Sequence, residues 1–223
     1  MSRAIGDPST QIHRLPERGV DDVAVLYEIL DEALVAHVGF VRDGMPVVIP
    51  TLHARVDDEL VLHGSPSAGF IRAARGGATL CVTVTLLDGL VLARSAFHHS
   101  VNYRSAVVFG RPRRLEGDEK TPALDAFVDR LIPGRRPLLR DTTKLEVQKT
   151  EVLALPLDTW SAKTRSGMPH DEEEDYRLSI WAGVVPLATV AGDPESDLLN
   201  LPEVTLPDHV ADWGAARLRR EGL

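Results

Sequence analysis

The chain has 223 residues, a formal charge of −8 and 43% hydrophobic residues, values that fit one large globular domain with appendages. The acidic balance leaves no basic surplus to neutralise a nucleic-acid backbone, which excludes that partner class. A single cysteine excludes an internal disulfide and a Cys-based zinc site.

No stretch approaches the ~20 apolar residues that span a bilayer, so no membrane partner is expected. Residues 1–10 lack the apolar core of a signal peptide, and the expected location is cytoplasmic. Residues 1–20 are polar and punctuated by Pro and Gly, and read as a flexible lead-in. Asp21 and Asp22 offer N-caps for a helix with Val23, Leu26, Ile29, Leu30 and Leu34 on one face. The period changes at Ala36. A strand reaches the turn Arg42-Asp43-Gly44, a second runs from Pro46 to Val56, and Leu60 to His63 makes a third.

Gly64-Ser65-Pro66-Ser67 opens a short helix that Gly76-Gly77 stops. Strands are expected at 78–86 and 89–96, joined at Asp88-Gly89, and a long one at 103–115. Glu119 to Leu131 reads as an amphipathic helix, followed by the basic loop Pro133–Pro137 and a short helix near 142–149. Strands at 151–163 and 178–187 return to the sheet, and the acidic run Asp171–Asp175 reads as a solvated loop or, less simply, a cation site. These elements describe a mainly β (α+β) fold, a six-stranded antiparallel barrel with peripheral helices over residues 21–190. Residues 191–223 form a tail with a short final helix at 208–220. Cys81 lies in an apolar strand and reads as an inert core thiol. His98 and His99 are adjacent on a strand, point to opposite faces, and suit no shared metal.

The order of elements around Leu62-His63-Gly64-Ser65 and Cys81-Val82-Thr83-Val84-Thr85 resembles the pyridoxamine 5′-phosphate oxidase-like proteins. The segments Asp88–Ala96, His99–Gly110 and Trp181–Leu187 are similar, more narrowly, to the flavin-nucleotide-binding branch that includes the nitroimidazole-resistance reductases. The likeness covers residues 20–190 and is most specific over Asn102–Gly110. It implies an FMN-binding split barrel that works as a homodimer, with FMN at the interface touching both subunits.

What the resemblance implies about the site is specific to residues. The start of the short helix, with Ser65, Ser67 and Arg72, meets the phosphate, Arg72 having a plain solvated role as its alternative. Relatives place Arg or Lys where Gly69 and Phe70 stand here, so Lys163 and Arg165 become candidates to complete the clamp; an exposed basic pair is the alternative. Pro50, Thr51, Leu52 and His53 meet the polar edge of the ring, with Thr83 and Ser105 on neighbouring strands. Asn102, Tyr103 and Arg104 enter the long strand beside them. Trp181 packs near the flavin from the partner subunit, or serves as a core tryptophan. His63 is the candidate catalytic residue, and a hydrogen-bonded surface histidine is its rival.

The true oxidases hold their substrate with an Arg and a His shortly after the tryptophan. Those places fall here at Leu187 and Thr189, so pyridoxamine-phosphate oxidation is not expected. The implied function is an FMN-dependent oxidoreductase acting on a small aromatic or quinone-like acceptor. A non-enzymatic flavin carrier and a deazaflavin- or haem-binding member of the same fold stay open beside it.

Overall fold

A computed structural model describes residue 10 and residues 12–213, and its strands join in one continuous sheet system. The lead-in is not wholly loose. A turn at Pro16–Arg18 delivers β1 (Gly19–Val20), which pairs with a strand near the C-terminal end of the barrel. Helix α1 (Val23–Glu32) starts where Asp22 Oδ1 accepts the Ala24 N–H at 2.9 Å, and its Leu26, Ile29 and Leu30 are fully buried. The hairpin of β2 (Val35–Arg42) and β3 (Met45–Val56) turns at Asp43-Gly44, where φ is +52° and +77°. Both residues sit in the left-handed region that an Asp-Gly turn tolerates. Then come β4 (Glu59–Gly64) and α2 (Gly69–Arg75).

Three expected strand boundaries are corrected. The expected strands 78–86 and 89–96 are one strand, β5 (Leu80–Leu92), which stays paired with β6 (Ser100–Gly110) along its length. Asp88-Gly89 makes a bulge there instead of a hairpin, because β6 offers partners on both sides of it. The expected strand 151–163 divides into β8 (Glu151–Pro156) and β9 (Trp160–Arg165), and the expected 178–187 shrinks to β10 (Gly183–Pro186). Between β6 and β8 lie β7 (Arg113–Arg114), α3 (Lys120–Leu131) and α4 (Lys144–Lys149), the last capped by a Thr143–Glu146 capping box. The final helix is α5 (Asp208–Ala211). The rest of the expected 208–220 helix reaches residues outside those described.

The strand order β9-β6-β5-β2-β3-β4-β8 runs between two halves of one bent segment, so the sheet closes on itself. Phe109 N–H donates to Thr159 O at 2.8 Å and Leu157 N–H to Asp58 O at 2.9 Å across that bend. Six antiparallel strands, counting β8–β9 as one, form the expected split barrel with peripheral helices. Its interior holds Val38, Phe40, Leu60, Leu62, Val82, Val84, Val108, Leu153 and Leu155, with α1 laid across one end. A second cluster lies outside the barrel, where α3 places Ala123 and Phe127 on Ala54, Val61, Val152 and Ala154. Among the described residues no helix is long and apolar enough to cross a membrane.

Candidate functional site

Alternation along the strands divides the expected site residues between the two faces of the barrel wall. On β5 and β6, Val82, Val84, Ala106 and Val108 are buried inside, so their neighbours Thr83, Tyr103, Ser105 and Val107 face out. The ladder aligns the outward side chains in rows: Lys163–Ser105–Thr85 across β9, β6 and β5, and Ser161–Val107–Thr83–His37–Pro50 across five strands. Pro50, Leu52, Thr83, Tyr103, Ser105 and Lys163 therefore share the outer face. The Lys163 ammonium donates to Arg14 O at 2.6 Å. Apolar Val35, Val41 and Val48 stand exposed on the same face of β2 and β3. Hydroxyls and one cation beside bare apolar side chains can satisfy a flat ring with one polar edge.

Four expected residues point the other way. Thr51 continues the inward row of Val47 and Ile49. His53 is buried inside, its imidazole Nε2 2.9 Å from Leu30 O, and burial lowers its pKa below the ordinary 6.5. It ties β3 to the end of α1. Arg104 reaches Glu32 at 2.7 Å and Asp88 at 2.7 Å, and these carboxylates raise its pKa. It is a strut between α1 and the β5 bulge, on the other side of the wall from Tyr103 and Ser105. Asn102 is buried, with its amide donating to Gly167 O at 3.2 Å and its carbonyl accepting from Arg165.

The α2 end of the barrel carries the expected phosphate residues. Ser65 and Ser67 hydroxyls lie 2.9 Å apart, both exposed, and Arg72 is exposed. Arg42 also reaches this end. Its Nη1 is 3.8 Å from where a Cβ on Gly69 would stand, so β2 brings a cation to the place where the resemblance implies an Arg or Lys on the α2 start. The sequence held this only as the last residue before the Asp-Gly turn. Trp181 is 67% exposed, its indole lying on Gly183, and the core-tryptophan alternative is excluded.

His63 occupies a separate place on the outer wall of β4, under α3. Its ring packs edge-on against Phe127 with centroids 4.3 Å apart, and it borders a cavity of about 500 Å³. Leu124, Val128 and Leu139 supply apolar wall, and Arg136 and Arg140 bring guanidinium groups paired with Asp125 and Glu146. Among the described residues His63 Nδ1 is buried without a hydrogen-bond partner, and burial lowers the imidazole pKa. A neutral ring with an unpartnered nitrogen at the wall of a cavity is a metal-ligand type of group. The basic loop at 133–137 was visible in the sequence, but its return over His63 was not. Among the described residues no three His, Cys, Asp or Glu side chains gather as a metal cluster. Cys81 is half-buried on β5, and burial raises its thiol pKa.

None of the curated proteins matches the chain. Among solved structures, the flavocytochrome Anf3 from Azotobacter vinelandii is 38% identical with a TM-score of 0.87, over 92% of this chain and 95% of that one. The FAD and heme binding protein from Mycobacterium smegmatis is 43% identical with a TM-score of 0.84, over 86% and 95%. A chain from Bacteroides thetaiotaomicron, proposed to act in 5-nitroimidazole antibiotic resistance, shares the fold at 24% identity and a TM-score of 0.56, over 65% and 85%. The family described as pyridoxamine 5′-phosphate oxidase matches residues 22–164, most of the closed barrel. By that match the chain belongs to the pyridoxamine 5′-phosphate oxidase family.

Proposed function

We propose that this protein is a homodimeric flavin- and haem-binding oxidoreductase, a flavocytochrome in the sense of its two similar structures. The observation that supports it most is His63, whose Nδ1 has no hydrogen-bond partner among the described residues and which borders a cavity with an apolar wall, in a chain 38% and 43% identical to a flavocytochrome and to an FAD and heme binding protein. The cavity fits a haem by its chemistry. His63 would hold its iron, Leu124, Val128 and Leu139 would cover its apolar faces, and Arg136 and Arg140 would meet its carboxylates.

The flavin would lie on the outer sheet face between two copies, whose exposed Val35, Val41 and Val48 the second copy would cover. Thr83, Ser105 and the Pro50–Leu52 edge would meet the ring's polar side, and Ser65, Ser67, Arg42 and Arg72 its phosphate. We propose FAD in place of the FMN implied by the sequence likeness, since the 43% identical protein binds FAD. Together the two groups supply one- and two-electron chemistry when bound, and the protein sets their place and surroundings. A small aromatic or quinone-like acceptor remains the proposed substrate class, because the face offers a stacking surface with few charges. Pyridoxamine phosphate is not a substrate in this reading. Leu187 and Thr189 are exposed and bring no cation.

The test is the absorption spectrum of purified protein, with the released flavin identified by chromatography and the mass by light scattering. Flavin bands, a Soret band, FAD and a dimer are expected. His63→Ala should remove the Soret band and leave the flavin. A protein that stays colourless after supply of FAD and haem overturns the proposal. A Soret band unchanged in His63→Ala overturns the ligand assignment, and released FMN overturns the choice of FAD.

A further inference from the structure

At the other end of the outer face from α2, β9 runs into a cavity of about 340 Å³. Its wall is Arg18, Thr164, Arg165, Ser166, Gly167, Met168 and His170, with no carboxylate among the described residues. The arginines nearby in the fold are neutralised, Arg94 by Asp171 and Arg104 by Glu32 and Asp88. Arg165 is held differently. Its guanidinium donates to the carbonyl of buried Asn102, whose amide in turn donates to Gly167 O. One neutral, buried side chain thus fixes both the cation and the turn beside it, where Gly167 has φ +106°. The positive charge is oriented, and among the described residues no carboxylate pairs with it. Arg18 stands close enough that its charge, after burial, is a cause of a lowered Arg165 pKa.

We propose that this cavity is an oxyanion subsite that takes the phosphoryl or diphosphoryl group of a small ligand. Two guanidiniums can pair with the oxygens of such a group, and the Thr164 and Ser166 hydroxyls offer further donors. An anion would also remove the repulsion between Arg18 and Arg165. The subsite is distinct from the α2 end. Arg165 pairs with Tyr103 on β6, whereas Phe109 and Gly110 lie toward α2. Six residues at ~3.4 Å each separate the two ends by about 20 Å. The phosphate could come from the far end of a bound dinucleotide flavin or from a free phosphorylated ligand.

Inorganic pyrophosphate is titrated calorimetrically into the protein as purified and after saturation with FAD, for wild type, Arg165→Met and the Arg18→Met/Arg165→Met pair. FAD retention on dialysis is measured in parallel, and circular dichroism checks the fold. Wild type should bind pyrophosphate or retain FAD at least about tenfold better than the double variant. Binding that persists at FAD saturation assigns the subsite to a free ligand. Binding abolished by FAD, with FAD retention lowered in the variants and riboflavin binding unchanged, assigns it to the flavin's own phosphates. Asn102→Asp, which sets a carboxylate on Arg165, should reproduce the loss with both arginines present. The proposal is overturned if neither pyrophosphate binding nor FAD retention changes in the folded double variant. The pyrophosphate arm reads the cavity alone, so it can fail while the flavin and haem proposal stands, and the reverse.

Discussion

Replacing Arg104 by methionine separates a structural from a cofactor role for the most family-like run in the chain. The guanidinium bridges two carboxylates, with contacts of 2.7 Å to Glu32 and 2.7 and 3.1 Å to Asp88. The three side chains are 31%, 38% and 33% exposed. Exposed pairs contribute about 0.2–1 kcal/mol, and removing one partner of a fully buried pair costs about 3–5 kcal/mol. At one-third exposure solvent screens part of the field, which places Arg104→Met at roughly 1.5–3 kcal/mol. Most of that cost is two carboxylates left facing each other. The triple variant Arg104→Met/Glu32→Gln/Asp88→Asn should therefore recover more than half of it. Urea unfolding followed by far-ultraviolet circular dichroism measures both, and added salt should narrow the gap. A loss below about 0.5 kcal/mol, or flavin release at unchanged stability, would refute the strut and return Arg104 to the ligand.

Burial lowers the pKa of His53 below 6.5, so its neutral form stabilises the fold. That contribution is complete above pH about 6.5 and is lost as pH falls below it toward the depressed folded value. His53→Gln, which keeps a donor for Leu30 O, should flatten the stability loss between pH 7.5 and 5; an unchanged slope refutes the assignment. Gly89→Ala would set a Cβ 3.0 Å from Val184 Cγ1 and 3.1 Å from Val185 O. It should cost about 1–3 kcal/mol, read as a lowered Tm, and an unchanged Tm would show that β10 gives way freely. Glu146 has its pKa lowered to about 2 by Arg140 and the Thr143 cap. Its support for α4 should hold above the ordinary carboxylate range and fade as pH falls toward 2, which amide exchange of Lys144–Lys149 measures. No aldehyde should form from pyridoxamine phosphate in air, and steady turnover would show a substrate-phosphate site that does not depend on Leu187 or Thr189.

The barrel was legible because its strands carry a period of two and its turns carry Asp-Gly or Gly-Gly. What misled was turn chemistry read without a partner strand. Asp88-Gly89 has the composition of a hairpin, yet β6 runs beside it on both sides and turns it into a bulge. The opposite error occurred at residues 157–159, where Leu157-Asp158-Thr159 holds no Gly or Pro. The chain bends there because Asp58, in the turn between β3 and β4, and Phe109, on β6, bond it from different sides. Both boundaries depend on contacts distant in sequence, which local propensity does not encode.

The same distinction governs the site. A run such as Asn102-Tyr103-Arg104-Ser105 is contiguous in sequence, and its likeness to relatives marks it as a unit. A strand divides any such run between two faces, so all four residues cannot line one ligand. Here Tyr103 and Ser105 face outward, Arg104 binds the barrel to α1, and Asn102 turns back to position Arg165. The run is specific because it does two things at once. Its inward half sets the register of β6 against the bulge and the 166–168 turn, and its outward half presents the surface beside Lys163 and Thr85. Residues that reach a site from elsewhere, Arg42 at α2 and Arg18 at β9, left no local mark at all. They become functional candidates only once the fold brings β2 to α2 and the Pro16–Arg18 turn to β9.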